Sequence, residues 1–265
     1  MNDEGADSKN PLAEVHGALE KMDKIGWGET FRFRCHKELS CWTACCHGAS
    51  IFLTPYDVLR AKRRLGLRSD EFIAKHVHVT VGEDFGLPLA RLKMDGPKGA
   101  CPFVSEEGCS IYGDRPTTCR LYPIGQATSS GTEARRGERV YFKIYEDHCL
   151  GWKDPKTYKL EDWVIDQGAT DYNFYNELII QMTFHHKLGD PSGLDDQKMG
   201  MIFMALYDLD RFRQFVFDTT FLDRFDVEKE TIEKIKTSDE ELLRFGMRWI
   251  EFSVMGMKTM ELKAT

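Results

Sequence analysis

The sequence predicts an α+β protein, loop-rich with short strands and helices in its first part and all-α in its C-terminal part. Three observations predict it. Stretches such as FRFRC, HVHVTV and LPLARLKM alternate apolar and polar residues with the period of two that a half-buried strand needs. Gly and Pro punctuate residues 96–125, GPKGACPFVSEEGCSIYGDRPTTCRLYPIG, and keep any strand there short. From about Lys159 onward the apolar spacing becomes helical.

The elements follow in order. After a polar start, MNDEGADSKN, residues 11–27 (PLAEVHGALEKMDKIGW) read as a short helix leading into FRFRC, an edge or half-buried strand. In ASIFLTPYDVLRAKRRLGLRSDEFIAKHV, Thr54 is a good N-cap, Pro55 suits the first helical position and Gly66 is a natural stop. Val58, Leu59 and Leu65 give that helix an apolar side, and Ser69 is expected to cap a second helix starting at Asp70. HVHVTV and LPLARLKM are expected to pair as a hairpin across Gly82 to Gly86, and VYFKIY, Val140 to Tyr145, is a strand running into His148 and Cys149. Further on, EDWVIDQGATDYNFYNELIIQMTFHHKL reads as one long helix or two, and Leu194 to Phe217 as another. Ser238 with Glu241 forms a capping box ahead of the last helix, ELLRFGMRWIEFSVM. The chain thus divides into a polar segment and short helix over 1–27, a cysteine-cluster region over 28–157 and a helical domain or extension over 158–265.

Composition narrows the function classes. At 265 residues and 42% hydrophobic content, the chain can build a proper core without staples. A net charge of −7 argues against a nucleic-acid partner, which usually meets a basic surface. The first residues lack the basic start and apolar centre of a signal peptide, and no apolar run reaches the ~20 residues that cross a bilayer. The expected compartment is therefore cytoplasmic, with no membrane partner. Disulfides do not usually persist there.

All eight cysteines lie between positions 35 and 149: Cys35, Cys41, Cys45, Cys46, Cys101, Cys109, Cys119 and Cys149. Chance burial would not segregate them so sharply, and the compartment disfavours disulfides. Metal binding leads. Thiolates are soft ligands for zinc, cuprous copper or iron–sulfur clusters. The spacing, C-x5-C-x3-C-C then C-x7-C-x9-C then Cys149, is not that of a zinc finger, and eight thiolates satisfy two four-thiolate centres of either kind. In extended chain the neighbours Cys45 and Cys46 would point to opposite sides and serve two centres, or two atoms of one cluster. Arg115 and Arg120 lie in the same turn segment and are candidates to donate charge or hydrogen bonds to the bound cofactor; the alternative is a salt bridge to Asp114, Glu106 or Glu107. Trp42, Phe103, Tyr112 and Tyr122 are candidates for an apolar shell. His36, His47 and His148 each flank a cysteine, and a surface or supporting role is expected of them rather than ligation.

The stretch from Phe33 to Pro123 resembles the CxxCxxCC, or YkgJ-like, cysteine-cluster family, described as a zinc- or iron-chelating domain. The resemblance rests on FRFRC with its later CC, on IFLTPYDVLRAKRRLGL, and above all on CPFVSEEGCSIYGDRPTTCRLYP. In that last piece Cys101, Pro102, Cys109, Ile111, Tyr112, Arg115, Pro116, Cys119, Arg120 and Pro123 fit the pattern, and Cys149 fits the family's late cysteine. Here the gaps before the pair are five and three residues, where the family name describes two. The resemblance implies a metal held by the eight cysteines: an iron–sulfur cluster, one or two of the [4Fe-4S] type, with zinc as the alternative.

Two functional readings follow. One is an iron–sulfur metalloprotein acting in electron transfer or catalysis, with a redox partner. The other is a zinc-stabilised, non-enzymatic module whose helical half binds a protein partner, for instance through Met199 to Phe217. No general acid or base stands out. His185 and His186 are adjacent on a helix and diverge, and His76 and His78 share one face of a strand that is expected to meet solvent.

Overall fold

A computed structural model describes residues 21–81, 87–128, 138–185 and 194–263. Its first part runs β1 (Lys24–Ile25), β2 (Thr30–Arg32), β3 (Phe52–Leu53), α1 (Pro55–Leu65), α2 (Ser69–His76), β4 (Val77–Val81) and β5 (Pro88–Leu92). Then come β6 (Val104–Ser105), β7 (Gly108–Cys109), α3 (Thr117–Leu121), β8 (Ile124–Thr128), β9 (Arg139–Lys143) and β10 (Thr157–Lys159). The helical part runs α4 (Leu160–Asp166), α5 (Thr170–His185), α6 (Asp196–Leu206), α7 (Leu209–Phe217), α8 (Phe221–Arg224), β11 (Phe225–Asp226), α9 (Lys229–Thr237), α10 (Asp239–Ser253) and β12 (Glu261–Leu262). This is the expected α+β fold with helices toward the C-terminus.

Local chemistry accounts for the best-defined elements. At the start of α1 the Asp57 N–H donates to Thr54 Oγ1 at 3.2 Å, and the Thr54 N–H donates to Asp57 Oδ2 at 2.8 Å. Pro55 occupies the first turn, and Gly66 ends the helix in the left-handed region at φ 66°. β4 and β5 pair antiparallel from Val77↔Leu92 to Val81↔Pro88, as the alternation predicts; the connecting turn lies outside the described residues. Along β5, Ala90 and Leu92 are buried and Arg91 is exposed. β3 completes that sheet on the other edge of β5. Within FRFRC, Phe31 is buried between exposed Thr30 and Arg32, and the strand pairs with β10. The described part of the expected stretch forms two helices, α4 and α5, broken near Gly168 at φ 63°.

Four expectations need correction. The helix expected over 11–27 lies mostly outside the described residues, and its last part is strand: Ile25 of β1 pairs with Tyr141 of β9 and buries there. Ser69 does not cap α2; the helix begins one residue earlier, at Ser69 itself. Its hydroxyl instead donates to Asp208 Oδ1 at 2.6 Å and accepts from the Asp210 N–H at 2.9 Å, so it serves the start of α7. The same contact explains the third correction. Leu194 to Phe217 is two helices, α6 and α7, because the chain turns at Tyr207 and Asp208 to meet Ser69. Finally, His76 is the buried last residue of α2 rather than a strand neighbour of His78, which lies exposed on β4 with Nε2 3.8 Å from Asp95.

Two cores result. The larger one joins α1, α2 and the β3–β5–β4 sheet to α5 through α10, with Phe72, Phe212, Leu242, Leu243 and Ile250 fully buried. Much of Met199 to Phe217 packs into it, including Ile202, Leu206, Phe212 and Val216. The smaller core gathers Phe31, Phe33, Leu121, Tyr141, Leu160 and Trp163, with Trp152 and Tyr158 against it. Lys62 of α1, only 5% exposed, reaches Asp210 of α7 at 2.8 Å and Asp239 of α10 at 3.0 Å. Arg213 also holds Asp239, at 2.6 Å. A buried cation is tolerated because two carboxylates satisfy it. Among the described residues no helix is long and apolar enough to cross a membrane.

Candidate metal centre

All eight cysteines line one cavity of about 680 Å³. None is in a disulfide. Each reaches the cavity by a different local device. The Arg34 N–H donates to Gly151 O at 3.1 Å, which brings Cys35 alongside Cys149. Gly151 is required there: a Cβ would sit 2.5 Å from the Phe33 ring. From His36 to His47 the chain advances by successive tight turns, with the N–H groups of Leu39, Trp42, Ala44 and Cys46 each donating three residues back. Cys45 and Cys46 lie in a short 3₁₀ turn, Ala44–Cys46, preceded by Thr43 in the left-handed region at φ 63°. The pair is therefore not extended, and its two thiols hydrogen-bond each other instead of diverging.

The Cys101 N–H donates to Cys46 O at 2.9 Å, and the Gly48 N–H to Gly99 O at 2.8 Å, so residues 97–101 lie along the first loop. The β6–β7 hairpin sets Cys109 opposite Val104. The hairpin is tight because Gly108 adopts φ 113° beneath the Trp42 ring. Cys119 comes from α3, whose start is fixed by Asp57 of α1: the Thr117 N–H and hydroxyl both donate to Asp57 Oδ1 at 2.8 Å.

Two sulfurs accept backbone hydrogen bonds, as metal-bound thiolates do. The Leu150 N–H points at Cys41 Sγ at 3.3 Å and the Phe103 N–H at Cys101 Sγ at 3.5 Å.

Electrostatics sets what the cavity can accept. Burial, reinforced by the neighbouring thiols Cys45, Cys41 and Cys149, pushes Cys35 up to about 11. Burial also raises Cys101, Cys109 and Cys119. Cys46 is raised first by its hydrogen bond with Cys45 and then by burial, and the same hydrogen bond lowers Cys45 to about 7. Thiols that resist ionising side by side need a cation to do so together, and a coordinated metal supplies that charge. The donor set fits a thiophilic metal. Among the described residues no three His, Cys, Asp or Glu side chains are gathered closely enough to grip a single ion as they stand; the sulfurs stand around a chamber.

Arg115 lines the cavity and Arg120 does not. Arg115 donates to Tyr112 O at 2.6 Å and Gln167 Oε1 at 2.7 Å, with its guanidinium 3.8 Å from the centre of the Tyr112 ring. Arg120 donates to Gln167 O and to Gly113 O and stacks on Tyr172. Neither forms the salt bridge weighed against a cofactor role: Asp114 pairs with Arg60 at 2.6 Å, and Glu107 pairs with Lys37. Arg115 carries its charge near Cys109 and Cys119, held by neutral oxygens. Trp42, Phe103, Tyr112 and Tyr122 all face the cavity. Of the cysteine-flanking histidines only His148 lines it. His36 lies near Glu38 and Asp154, and His47 Nδ1 is 3.1 Å from Thr43 O.

Two residues of the site were not picked out in the sequence. Glu146 accepts from the Tyr122 hydroxyl at 2.6 Å, and Tyr122 also bonds Cys149. Asp57 supports Cys119 from below, and nothing in its own stretch beyond a helix-cap role marks it.

Compared with known proteins, residues 34–150 match the model of the CxxCxxCC family, described as "Putative zinc- or iron-chelating domain". The match takes in every cysteine and leaves the helical part outside. No curated protein and no solved structure matches the chain. The cysteine region, residues 34–150, is thus similar to the CxxCxxCC family, whose domain is described as zinc- or iron-chelating.

Proposed function

We propose that this chain is an iron–sulfur protein: Cys35, Cys41, Cys45, Cys46, Cys101, Cys109, Cys119 and Cys149 hold clusters of the [4Fe-4S] type that serve electron transfer or redox catalysis in a reducing, cytoplasmic setting. The observation that carries this reading is eight unpaired thiols on the wall of one chamber of about 680 Å³. A zinc ion would draw four sulfurs to about 2.3 Å from one point. In a cluster each thiolate binds a different iron, so the sulfurs stay apart, and the buried or half-buried rings of Trp42, Phe103 and Tyr122 limit water around them. Arg115 would offset part of the negative charge of the thiolates and tune the potential. Residues 28–157 carry this chemistry, and residues 158–265 support it and offer a surface to a redox partner.

One observation favours the zinc reading instead. The loops 33–51 and 93–103 contain few backbone ladders, so a structural metal would hold them, as in closed zinc sites. Anaerobic purification followed by iron, acid-labile sulfide and zinc quantification separates the two. Brown protein with iron and sulfide in equal amounts is the expected result. Colourless protein with stoichiometric zinc and no sulfide overturns the iron–sulfur reading.

A further inference from the structure

We infer that Gln167, at the break between α4 and α5, is a positioning residue: it holds the buried guanidiniums of Arg115 and Arg120 beside the cysteine cavity, where their positive charge balances the net negative charge of a metal–thiolate centre. The inference rests on the reading above that the cysteines bind metal, and deepens it by naming the residue through which the helical part acts on the centre.

The observation that carries it is buried charge without a partner. Arg115 is 7% exposed and Arg120 is 4% exposed. Among the described residues, each guanidinium donates only to neutral oxygens. Arg115 reaches Tyr112 O and Gln167 Oε1; Arg120 reaches Gln167 O, Gly113 O and Arg115 O. Arg120 Nε is buried with no acceptor at all. The neighbouring carboxylates are engaged elsewhere, Asp114 by Arg60 and Asp57 by Thr54 and Thr117. Adjacent cations in a protein interior are strongly unfavourable unless a negative group compensates them. Four thiolates around a zinc ion or a four-iron cluster carry net negative charge. Arg115, Gln167 and Cys119 all line the cavity, and Arg120 follows Cys119 on α3.

The helical part places Gln167. The Trp163 indole N–H of α4 donates to Leu121 O of α3 at 2.9 Å, and Leu160, Trp163, Val164 and Ala169 pack into the small core. The Gln167 N–H closes the helix on Trp163 O at 2.9 Å, and Gly168 turns the chain in the left-handed region at φ 63°. A Cβ on Gly168 would sit 3.2 Å from Arg120 Nη1, so the glycine leaves Arg120 room to reach Gln167 O. One residue thus grips both arginines, one by its side chain and the other by its main chain. It lies outside residues 34–150, the part that matches the chelating domain.

The test uses full-length, metal-loaded protein purified anaerobically: wild type, Arg115→Gln, Arg120→Gln, Gln167→Ala and the double variant Arg115→Gln with Gln167→Ala. Metal content and circular dichroism are taken first. With iron and sulfide present, the readout is the midpoint potential. Removing a positive charge beside the centre makes reduction harder, so Arg115→Gln should lower the potential by ~59 mV, about tenfold in a one-electron equilibrium. Arg120→Gln should lower it by less, because that guanidinium does not reach the cavity. Gln167→Ala should also lower it by less, because Arg115 keeps its charge and loses only its anchor. The double variant should go no lower than Arg115→Gln alone, since Gln167 acts through Arg115. With zinc present, the same order is expected in the rate of transfer to a chelator, about tenfold faster for Arg115→Gln. That outcome removes the iron–sulfur reading and supports this inference. Wild-type values in every folded variant overturn the inference and leave the iron–sulfur reading standing. Additive effects in the double variant overturn the positioning role. If Arg115→Gln does not fold, Gln167→Glu decides: it keeps the acceptor but cancels the charge of Arg115, so the potential should fall or zinc leave faster, and an unchanged value overturns the inference.

Discussion

The helical part and the cysteine loops are held by different physics. In α7 and α10, Phe212, Leu242, Leu243 and Ile250 are fully removed from solvent, and each helix starts on a side-chain cap, Ser69 across the chain for α7 and Ser238 for α10. Burial of such side chains contributes roughly 1.5–3 kcal/mol apiece. The loops at 33–51 and 97–119 have little of this. Of their cysteines Cys35, Cys45 and Cys119 are exposed toward the cavity and the others half-buried, and neighbouring thiols help to raise Cys35 and Cys119. The comparison teaches that one region carries its own stability while the other depends on what binds in it.

The largest expected effect breaks the comparison directly. Chelation of the metal under reducing conditions removes binding free energy on the order of 10 kcal/mol for a four-thiolate site. Hydrogen exchange should then accelerate in residues 33–51 and 97–119, while α7 and α10 keep their protection. Equal deprotection of both regions would show that the division is false.

Next is Ile250→Ala, which opens a cavity in the large core. Denaturant unfolding should show a loss of about 2–5 kcal/mol with metal content per folded chain unchanged.

Lys62 sharpens the account of the helical side. Burial alone would raise Asp210 and Asp239, but the Lys62 ammonium together with the Ser69 hydrogen bonds outweighs it at Asp210, and Arg213 together with Lys62 does so at Asp239, holding both below the usual carboxylate range. A lowered folded-state pKa contributes stability that is fully present above the unfolded value, about 3.9, and is lost as pH falls through the folded one. Lys62→Met should cost about 3–5 kcal/mol near neutral pH by leaving the carboxylates short of a buried partner. Its stability should also decline less between neutral pH and pH ~3 than that of the wild type. Parallel pH profiles for the two proteins would contradict this.

The smallest effect is Ser69→Ala. Losing a cap that acts from α2 on α7 should cost about 1 kcal/mol, read as a shift in the unfolding midpoint without a change in slope.

The reach of each contact explains what the sequence made legible. Thr54, Pro55 and Gly66 act on the helix they flank, so the start and stop of α1 could be read, and the β4–β5 hairpin follows from alternation across a short gap. The break at Tyr207 and Asp208 could not be read, because its cause, Ser69, lies 139 residues away. The eight cysteines were visible as a group, and they do share one cavity. The conformation of Cys45 and Cys46 was not visible. It depends on the left-handed φ of Thr43 and on the Cys101 N–H from a distant loop. Glu146 and Asp57 escaped notice for the same reason: their partners, Tyr122 and Thr117, are far along the chain.

X-ray absorption spectroscopy at the metal edge of anaerobically purified protein tests the central claim most directly. A coordination shell of sulfur alone, at about 2.3 Å whether the metal is iron or zinc, is the expected result. A shell of nitrogen and oxygen, or protein that takes up no metal while its cysteines remain reduced, would contradict it.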